Sequence, residues 1–230
     1  MKSVTAVIND MHLDNGTIGS NRLGKDLGSP LNPSINISSA YAFQSIGELE
    51  AYHENRNDNT RYARDGNALA RQVEEYFSKI YKGNVAYLFN SGMASISAAF
   101  YAAVSLQSYD YIVTTGVYYR KTNELIKEIC KYRQIQHLHF HDIEQAYKRC
   151  SKNKVLFFIE NFSNPFLRIT SLEEIKKRIP HCSIILDFTL QGLLNNSSDI
   201  ELADYAVSSC TKYIGGHNDF LAGVALVKSR

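Results

Sequence analysis

The chain has 230 residues, of which 44% are apolar, and this is enough to bury a hydrophobic core, which argues against an intrinsically disordered chain. Its formal net charge of +2 is close to balanced. Composition therefore gives no electrostatic footprint for nucleic acid or for an anionic membrane surface. A small molecule is the partner that these quantities favour.

The four cysteines indicate the redox compartment. No CxxC spacing pairs them, which argues against a disulfide framework and against a zinc site. No apolar run reaches the roughly 18 residues of a membrane span, and the first residues lack a continuous apolar stretch. We expect a cytoplasmic protein with no membrane partner. Its free thiols would be Cys130, Cys150, Cys182 and Cys210.

The segment before residue 60 is irregular in sequence, with frequent glycine and proline. A strand-like run covers residues 35–43, and a helix is predicted near 46–55. We interpret residues 1–60 as an extended N-terminal arm.

From residue 68 onward, helical and strand-like patterns alternate. Helices are predicted at 68–81, 92–105, 119–132, 142–149 and 171–178, the last beginning with a capping-box pair of Ser171 and Glu174. Strands are predicted at 85–89, 111–115, 135–140, 155–160, 183–187, 205–209 and 221–227. Short apolar runs separated by amphipathic helices indicate an α/β fold with a mostly parallel sheet covered on both faces. Ligands of such folds gather at the carboxyl ends of the strands.

Small residues occupy the predicted junction between the strand at 85–89 and the next helix. Ser91, Gly92 and Met93 stand there, so the first amides of the helix could point at an anion such as phosphate. A serine and a glycine at such a junction also commonly serve only as a cap and a turn. The motif alone leaves both interpretations open.

Two later strand ends carry groups that suit a phosphorylated cofactor. Ser209 and Thr211 place hydroxyls beside Lys212, whose amine could form an imine. Asp187 ends an apolar run, where burial of a carboxylate without a partner would be costly, so a cationic group should face it. A protonated pyridine nitrogen is such a group. A lone lysine at a strand end is usually only solvated, and an aspartate there commonly caps a turn, so only the combination of these residues favours a cofactor.

The sequence favours a metal site and a nucleotide site less than a cofactor site. His137, His139 and His141 alternate along one predicted strand, which could suggest a metal, but no second ligand cluster follows and we expect none. A nucleotide-binding protein is disfavoured because neither GxGxxG nor GxxxxGK[ST] occurs.

Several motifs, in order along nearly the whole chain, resemble the pyridoxal phosphate (PLP) enzymes of Cys/Met metabolism. That family includes cystathionine γ-synthase, cystathionine γ- and β-lyases and methionine γ-lyase. The matching segments are Tyr62-Ala-Arg64-Asp-Gly-Asn67, Ser91-Gly92-Met93, Glu160-Asn-Phe-Ser-Asn164-Pro165, Asp187-Phe-Thr189 and Ser209-Cys-Thr211-Lys212-Tyr213-Ile-Gly-Gly-His217-Asn-Asp219.

The resemblance implies a role for each motif residue. Lys212 is expected to carry pyridoxal 5'-phosphate as a Schiff base and to act in catalysis, and Asp187 to hold the pyridine nitrogen. The cofactor phosphate is expected to be bound by Gly92, Met93, Ser209 and Thr211, together with Tyr62 and Arg64 from the neighbouring subunit. Tyr119 is expected to stack on the cofactor and assist proton transfer, with Tyr118 as the alternative.

The resemblance also implies an architecture and an activity. The fold would be PLP fold-type I, an aspartate aminotransferase-like three-layer sandwich, with residues 61–230 as the PLP-binding large domain and the C-terminal small domain absent. The expected partners are an amino-acid substrate and further copies of the chain, in a homodimer or homotetramer that shares its active sites. The expected reaction is elimination or replacement at Cγ, or Cβ, of a sulfur-containing or homoserine-derived amino acid. The alternative is a truncated or non-catalytic PLP-fold protein that acts as a binding or partner subunit.

Some positions depart from the family's pattern. Arg120 and Lys121 replace small residues. The resemblance implies a cysteine at position 121 in methionine γ-lyases, so Lys121 lowers the expectation of that activity. Either cation could hold a substrate carboxylate or be solvated at the start of a helix. Asn161 and Phe162 replace a Ser-Pro or Thr-Pro pair.

Overall fold

The computed structural model describes residues 35, 37–55, 59–193 and 197–229. The chain divides into two compact units, Met1–Val73 and Glu74–Arg230. This boundary does not test the expected division at residue 60 between an arm and a large domain. That division stays a prediction.

In the first unit, helix α1 (Ile46–His53) begins at Ser45, whose hydroxyl accepts a hydrogen bond from the Glu48 amide at 3.1 Å. The described residues of 35–43 form no strand, and an isolated bridge between Ala40 and Tyr62 is their pairing. These residues have no partner strand and therefore no ladder to join, so the strand expected there is wrong. Helix α2 (Ala68–Ile80) begins in this unit and continues into the second.

The second unit is built on a seven-stranded sheet. Its strands are β1 (Asn84–Phe89), β2 (Tyr111–Thr115), β3 (Gln136–Phe140), β4 (Val155–Glu160), β5 (Ser183–Asp187), β6 (Tyr205–Ser209) and β7 (Gly223–Lys228). Their order across the sheet is β1-β7-β6-β5-β4-β2-β3. The pairs from β3 through β2, β4 and β5 to β6 are parallel, whereas β7 runs antiparallel to β1 and β6. The predicted mostly parallel α/β sheet is confirmed.

Five helices are described after the first strand: α3 (Gly92–Leu106), α4 (Arg120–Arg133), α5 (Ile143–Cys150), α6 (Leu172–Arg178) and α7 (Ser197–Leu202). Helix α3 packs against β6 and β7, and α5 packs against β2 and β3. No described helix is long and apolar enough to cross a membrane.

The position of each strand in the sheet follows from its side chains. All five residues of β5 and the first five of β4 are buried, as expected for strands covered on both faces. The edge strand β3 has no fully buried residue. Phe100 of α3 stacks on Phe158 of β4, with ring centroids 5.7 Å apart. This core fixes the strands whose carboxyl ends carry the polar groups considered next.

Candidate active site

A cavity of about 670 Å³ opens at the carboxyl ends of three neighbouring parallel strands. Glu160, Asp187 and Ser209 end β4, β5 and β6, respectively, and all three line it. Parallel strands place these termini at one edge of the sheet, where α/β folds bind ligands. The cavity wall also contains Ser91, Gly92, Met93, Ile96, Tyr119, Phe162, Asn164, Thr189, Leu190, Thr211, Lys212, Tyr213, Gly216, Asn218 and Leu221.

The start of helix α3 provides donors for an anion on one side of this cavity. The Ser91 hydroxyl caps the helix by accepting from the Ala94 amide at 3.2 Å. No described residue accepts a hydrogen bond from the amides of Gly92 or Met93, so both remain available. Two unpaired amides at a helix N-terminus suit a phosphate group.

Gly92 allows helix α3 to approach β6 closely. A Cβ atom at Gly92 would lie 2.5 Å from Ser209 Cβ and 2.9 Å from Ser209 Cα. The backbone of Ser209 is itself held, because its amide donates to Thr189 Oγ1 at 2.8 Å. The free amides of the helix and the hydroxyl-bearing residues after β6 therefore lie along the same wall.

We predict that Gly92→Ala separates α3 from β6. The clash is with backbone and Cβ atoms, so relief requires a shift of the helix, at a cost of about 1–3 kcal/mol in the free energy of unfolding. Urea denaturation of the cofactor-free protein and titration with PLP should show lower stability and weaker binding. Gly47→Ala is the matched control, because its Cβ would meet only Ser45 Oγ at 3.9 Å. Equal behaviour of the two variants would contradict this account of Gly92.

Lys212 lies in a tight turn after β6. Its amide donates to the Ser209 carbonyl at 3.2 Å, and its carbonyl accepts from the Gly216 amide at 2.7 Å. The preceding Thr211 hydroxyl accepts from the Ala222 amide at 3.1 Å. These bonds fix the backbone of the turn while the lysine side chain stays exposed at the cavity.

Asp187 is the buried charge of the cavity, with 8% of the residue exposed. Burial raises the pKa of its carboxyl, and hydrogen bonds from Thr189, one of them from the Thr189 amide at 2.9 Å, oppose the rise. No lysine or arginine among the described residues forms a salt bridge with it. A carboxylate this buried is stable only when a cation or a proton compensates it.

Glu160 lies beside Asp187, in register with it across β4 and β5. Its Oε1 accepts from the Tyr119 amide at 2.7 Å, and its Oε2 accepts from the Asn164 amide at 3.1 Å. Burial raises the pKa of Glu160 to about 7, and the charge of Asp187 adds to that rise. Two adjacent carboxylates therefore make this end of the cavity strongly favourable for a cation.

The structure distinguishes the two tyrosines at the start of α4. Tyr119 lines the cavity and is 48% exposed. Tyr118 is half-buried, donates its hydroxyl to Asn123 Oδ1 at 2.8 Å and packs on Phe158. Of the two rings, only that of Tyr119 is available to a ligand in the described cavity.

Two predicted cofactor ligands lie in the first unit. The Arg64 guanidinium stacks 4.8 Å from the centroid of the Tyr62 ring and lies 3.6 Å from the Asp65 carboxylate. Their expected role is toward a neighbouring subunit, and it stays a prediction.

The cations at the start of α4 are engaged elsewhere. Arg120 and Lys121 both pair with Glu124, at 3.1 and 2.7 Å, on an exposed surface. Neither lines the described cavity, so the interpretation of both as solvated cations at a helix start fits better than contact with a substrate carboxylate.

The histidines form a separate cluster at the edge of the sheet. His137 Nε2 and His139 Nδ1 each lie 3.0 Å from Thr114 Oγ1. His141 follows the end of β3 and is exposed. Among the described residues, no group of three or more His, Cys, Asp or Glu side chains could hold a metal ion.

Several residues that line the cavity have no role predicted from the sequence. Glu160, Phe162, Asn164 and Thr189 stand in the quoted motifs. Glu160 and Thr189 accept from the backbone amides of Tyr119 and Ser209 in other segments, partners that no sequence pattern marks. The departures at 161 and 162 also have positions in the structure. Asn161 donates to Asp199 Oδ2 at 2.7 Å, and Phe162 forms part of the cavity wall.

The residues that line the cavity fit the chemical groups of PLP. PLP presents a phosphate to unpaired amides and hydroxyls, a protonated ring nitrogen to a buried carboxylate, a flat ring to an aromatic side chain, and an aldehyde to an amine. The described residues supply each of these partners in Gly92 and Met93, Asp187, Tyr119 and Lys212.

Comparison with known proteins gives the same assignment. The family model described as Cys/Met metabolism PLP-dependent enzyme matches residues 19–230. The chain belongs to this family. Its cofactor is pyridoxal phosphate.

Among the similar proteins is the chloroplastic cystathionine gamma-synthase 1 of Nicotiana tabacum, which is 33% identical over 196 residues that cover 83% of this chain and 36% of the relative. The crystal structure of metB from Corynebacterium glutamicum superposes with a TM-score of 0.73 at 24% identity, covering 87% of this chain and 51% of that one. This likeness shows the fold, PLP fold-type I, and the fold expected from the motifs is confirmed.

A further crystal structure, of a putative O-acetylhomoserine (thiol)-lyase from Campylobacter jejuni, contains N'-pyridoxyl-lysine-5'-monophosphate. It is 25% identical with a TM-score of 0.69, covering 85% of this chain and 50% of that one. The chain thus spans between about a third and a half of the length of its relatives.

Proposed function

We propose that this member of the Cys/Met-metabolism PLP enzymes carries out elimination or replacement at Cγ of a homoserine- or homocysteine-derived amino acid, with Cβ as the alternative position. The observation that carries the proposal is the cavity in which a buried Asp187, without a salt bridge to any described lysine or arginine, and an exposed Lys212 occur together beside the free amides of α3. Relatives named cystathionine gamma-synthase and cystathionine beta-lyase support this class of reaction and not one position over the other.

Each group that lines the proposed site has a distinct task. The amides of Gly92 and Met93 and the hydroxyls of Ser209 and Thr211 bind the cofactor phosphate. Asp187 keeps a proton on the pyridine nitrogen, since a cation there compensates its buried charge. Tyr119 covers the ring. When bound, the cofactor supplies an electron sink for chemistry at Cα.

Lys212 has two proposed tasks. Its amine attaches the cofactor covalently, and after substrate binding it takes the Cα proton as a general base. The fixed turn backbone around Lys212 limits where this amine can reach, which is what proton transfer over a short distance requires.

Cystathionine as the test substrate distinguishes the two positions. Cleavage at Cγ releases cysteine, ammonia and 2-oxobutanoate, whereas cleavage at Cβ releases homocysteine, ammonia and pyruvate. We expect 2-oxobutanoate from the PLP-saturated chain and none from Lys212→Ala. Pyruvate alone would assign the reaction to Cβ. Neither product, despite bound cofactor and with homoserine esters also tested, would favour the alternative of a non-catalytic binding or partner subunit.

The assembly is part of the same proposal. We propose a homodimer or homotetramer in which Tyr62 and Arg64 of one subunit reach the cofactor phosphate of another, with 1–60 as the arm that contacts the neighbouring subunit. Four free, buried cysteines support a reducing compartment, for which we propose the cytoplasm.

A further inference from the structure

Glu160 joins two segments that border the cavity. One carboxylate oxygen accepts from the Tyr119 amide at 2.7 Å, at the start of α4. The other accepts from the Asn164 amide at 3.1 Å, in the segment that follows β4. Both residues line the cavity. A single carboxylate therefore ties together two parts of the wall that are distant in sequence.

The backbone of Tyr119 is held on two sides: its carbonyl accepts from the Thr122 and Asn123 amides of α4 at 3.1 and 3.3 Å, and its amide donates to Glu160. Tyr119 occupies the N-cap position of α4 but makes no side-chain capping bond, and its ring is largely exposed. Where packing does not fix a ring, the position of its backbone decides where the ring lies. The bond from the Tyr119 amide to Glu160 is the contact that ties this backbone to the end of β4, and a negative charge at a helix N-terminus is itself favourable.

The charges around Glu160 are those of the cofactor site. Asp187 faces it from β5, the Tyr118 hydroxyl lies close enough on the segment before α4 to feel its charge, and Lys212 lines the same cavity. No described lysine or arginine pairs with Glu160. A cationic pyridine ring at Asp187 would therefore favour the ionised form of both carboxylates.

We propose that Glu160 is a positioning residue whose ionised carboxylate holds Tyr119 and Asn164 against the bound cofactor. This inference rests on the proposed function, because it requires PLP in this cavity. Ionised, the carboxylate accepts both backbone bonds; protonated, one of its oxygens carries a hydrogen and the pair of bonds weakens. Occupancy of the cofactor and the geometry of the wall are thus coupled through one proton.

The ligand-free protein should show the cost of this arrangement. Glu160 has a raised pKa of about 7 in the folded state, so the folded protein binds more protons than the unfolded chain between its usual value of 4.5 and that pKa. Its contribution to stability therefore falls as the pH rises through this range. We expect Glu160→Gln to remove this dependence, so that the stability of the cofactor-free variant falls less between pH 4.5 and pH 8 than that of wild type.

The decisive test uses the full chain loaded with PLP and reduced with borohydride, which makes the lysine adduct permanent so that no imine titration intervenes. The ring's circular dichroism then reports its asymmetric environment as the pH is varied. We expect a transition at or below pH 7 in wild type. In Glu160→Gln the transition should be absent and the signal at least halved, because an amide must direct its NH₂ at one backbone N–H.

Two further variants complete the test. Glu128→Gln removes an exposed carboxylate of α4 and should behave as wild type. Glu160→Asp keeps the charge but cannot span both segments, so it should keep the transition with a smaller signal, and it provides the comparison if the glutamine variant fails to fold. A Glu160→Gln spectrum identical to wild type at every pH would overturn the positioning role. Failure of wild type to form any adduct on Lys212 would instead refute the proposed function.

Discussion

Replacement of Lys212 with alanine is expected to abolish covalent attachment of PLP. The side chain is the proposed amine at the cavity, and the remaining phosphate and pyridine contacts can hold the cofactor only reversibly. After borohydride treatment and denaturation, the variant should retain no cofactor mass, whereas wild type should retain one PLP per chain. Cofactor-dependent turnover should fall to background.

The control for this substitution is Lys152→Ala. Lys152 is exposed in the segment after α5 and does not line the cavity. Its adduct yield should equal that of wild type. An imine absorption band of undiminished intensity in Lys212→Ala would show that Lys212 is not the residue that binds PLP covalently.

Asp187→Asn should change cofactor binding and protein stability in opposite directions. The neutral amide can still accept from the Thr189 amide but cannot keep the pyridine nitrogen protonated, so PLP affinity should fall roughly tenfold to a hundredfold, the worth of a hydrogen bond to a charged group. Proton removal from Cα should slow as well, because the ring loses its capacity as an electron sink.

The stability of the cofactor-free variant gives the second half of this prediction. Burial raises the pKa of Asp187 in the folded state, so the wild-type group lowers stability at pH values above its usual 3.8. Asp187→Asn should therefore be more stable than wild type in urea at pH 7, with a smaller difference at pH 4. Glu201→Gln, an exposed carboxylate change, should alter neither property. A variant that binds PLP as tightly as wild type would show that Asp187 does not contact the ring.

The strands were predictable where burial is complete. Strands β2, β4, β5 and β6 have the bounds expected from sequence, because their apolar runs are continuous and end at polar residues. The antiparallel direction of β7 could not be predicted, since an apolar run carries no information on pairing direction. Helix α7 was missed because its short, polar sequence has no apolar period.

Most candidate residues of the site could be named from the motifs, because side chains at the ends of parallel strands converge at one edge of the sheet. The role of Glu160 could not be predicted from the motifs. Its partners are the backbone amides of Tyr119 and Asn164, and any residue type except proline could supply such an amide. The choice of Tyr119 over Tyr118 likewise depends on which ring the core takes up, a matter of three-dimensional packing.

The central claim is that the buried carboxylate, the free amides and Lys212 together form a PLP site, and one measurement tests it directly. Purified wild-type chain is saturated with PLP, reduced with borohydride, digested and mapped by mass spectrometry. The account predicts a visible imine band before reduction and a single pyridoxyl adduct, on Lys212. A folded protein that gives no band, or whose adduct lies on another lysine, would contradict it.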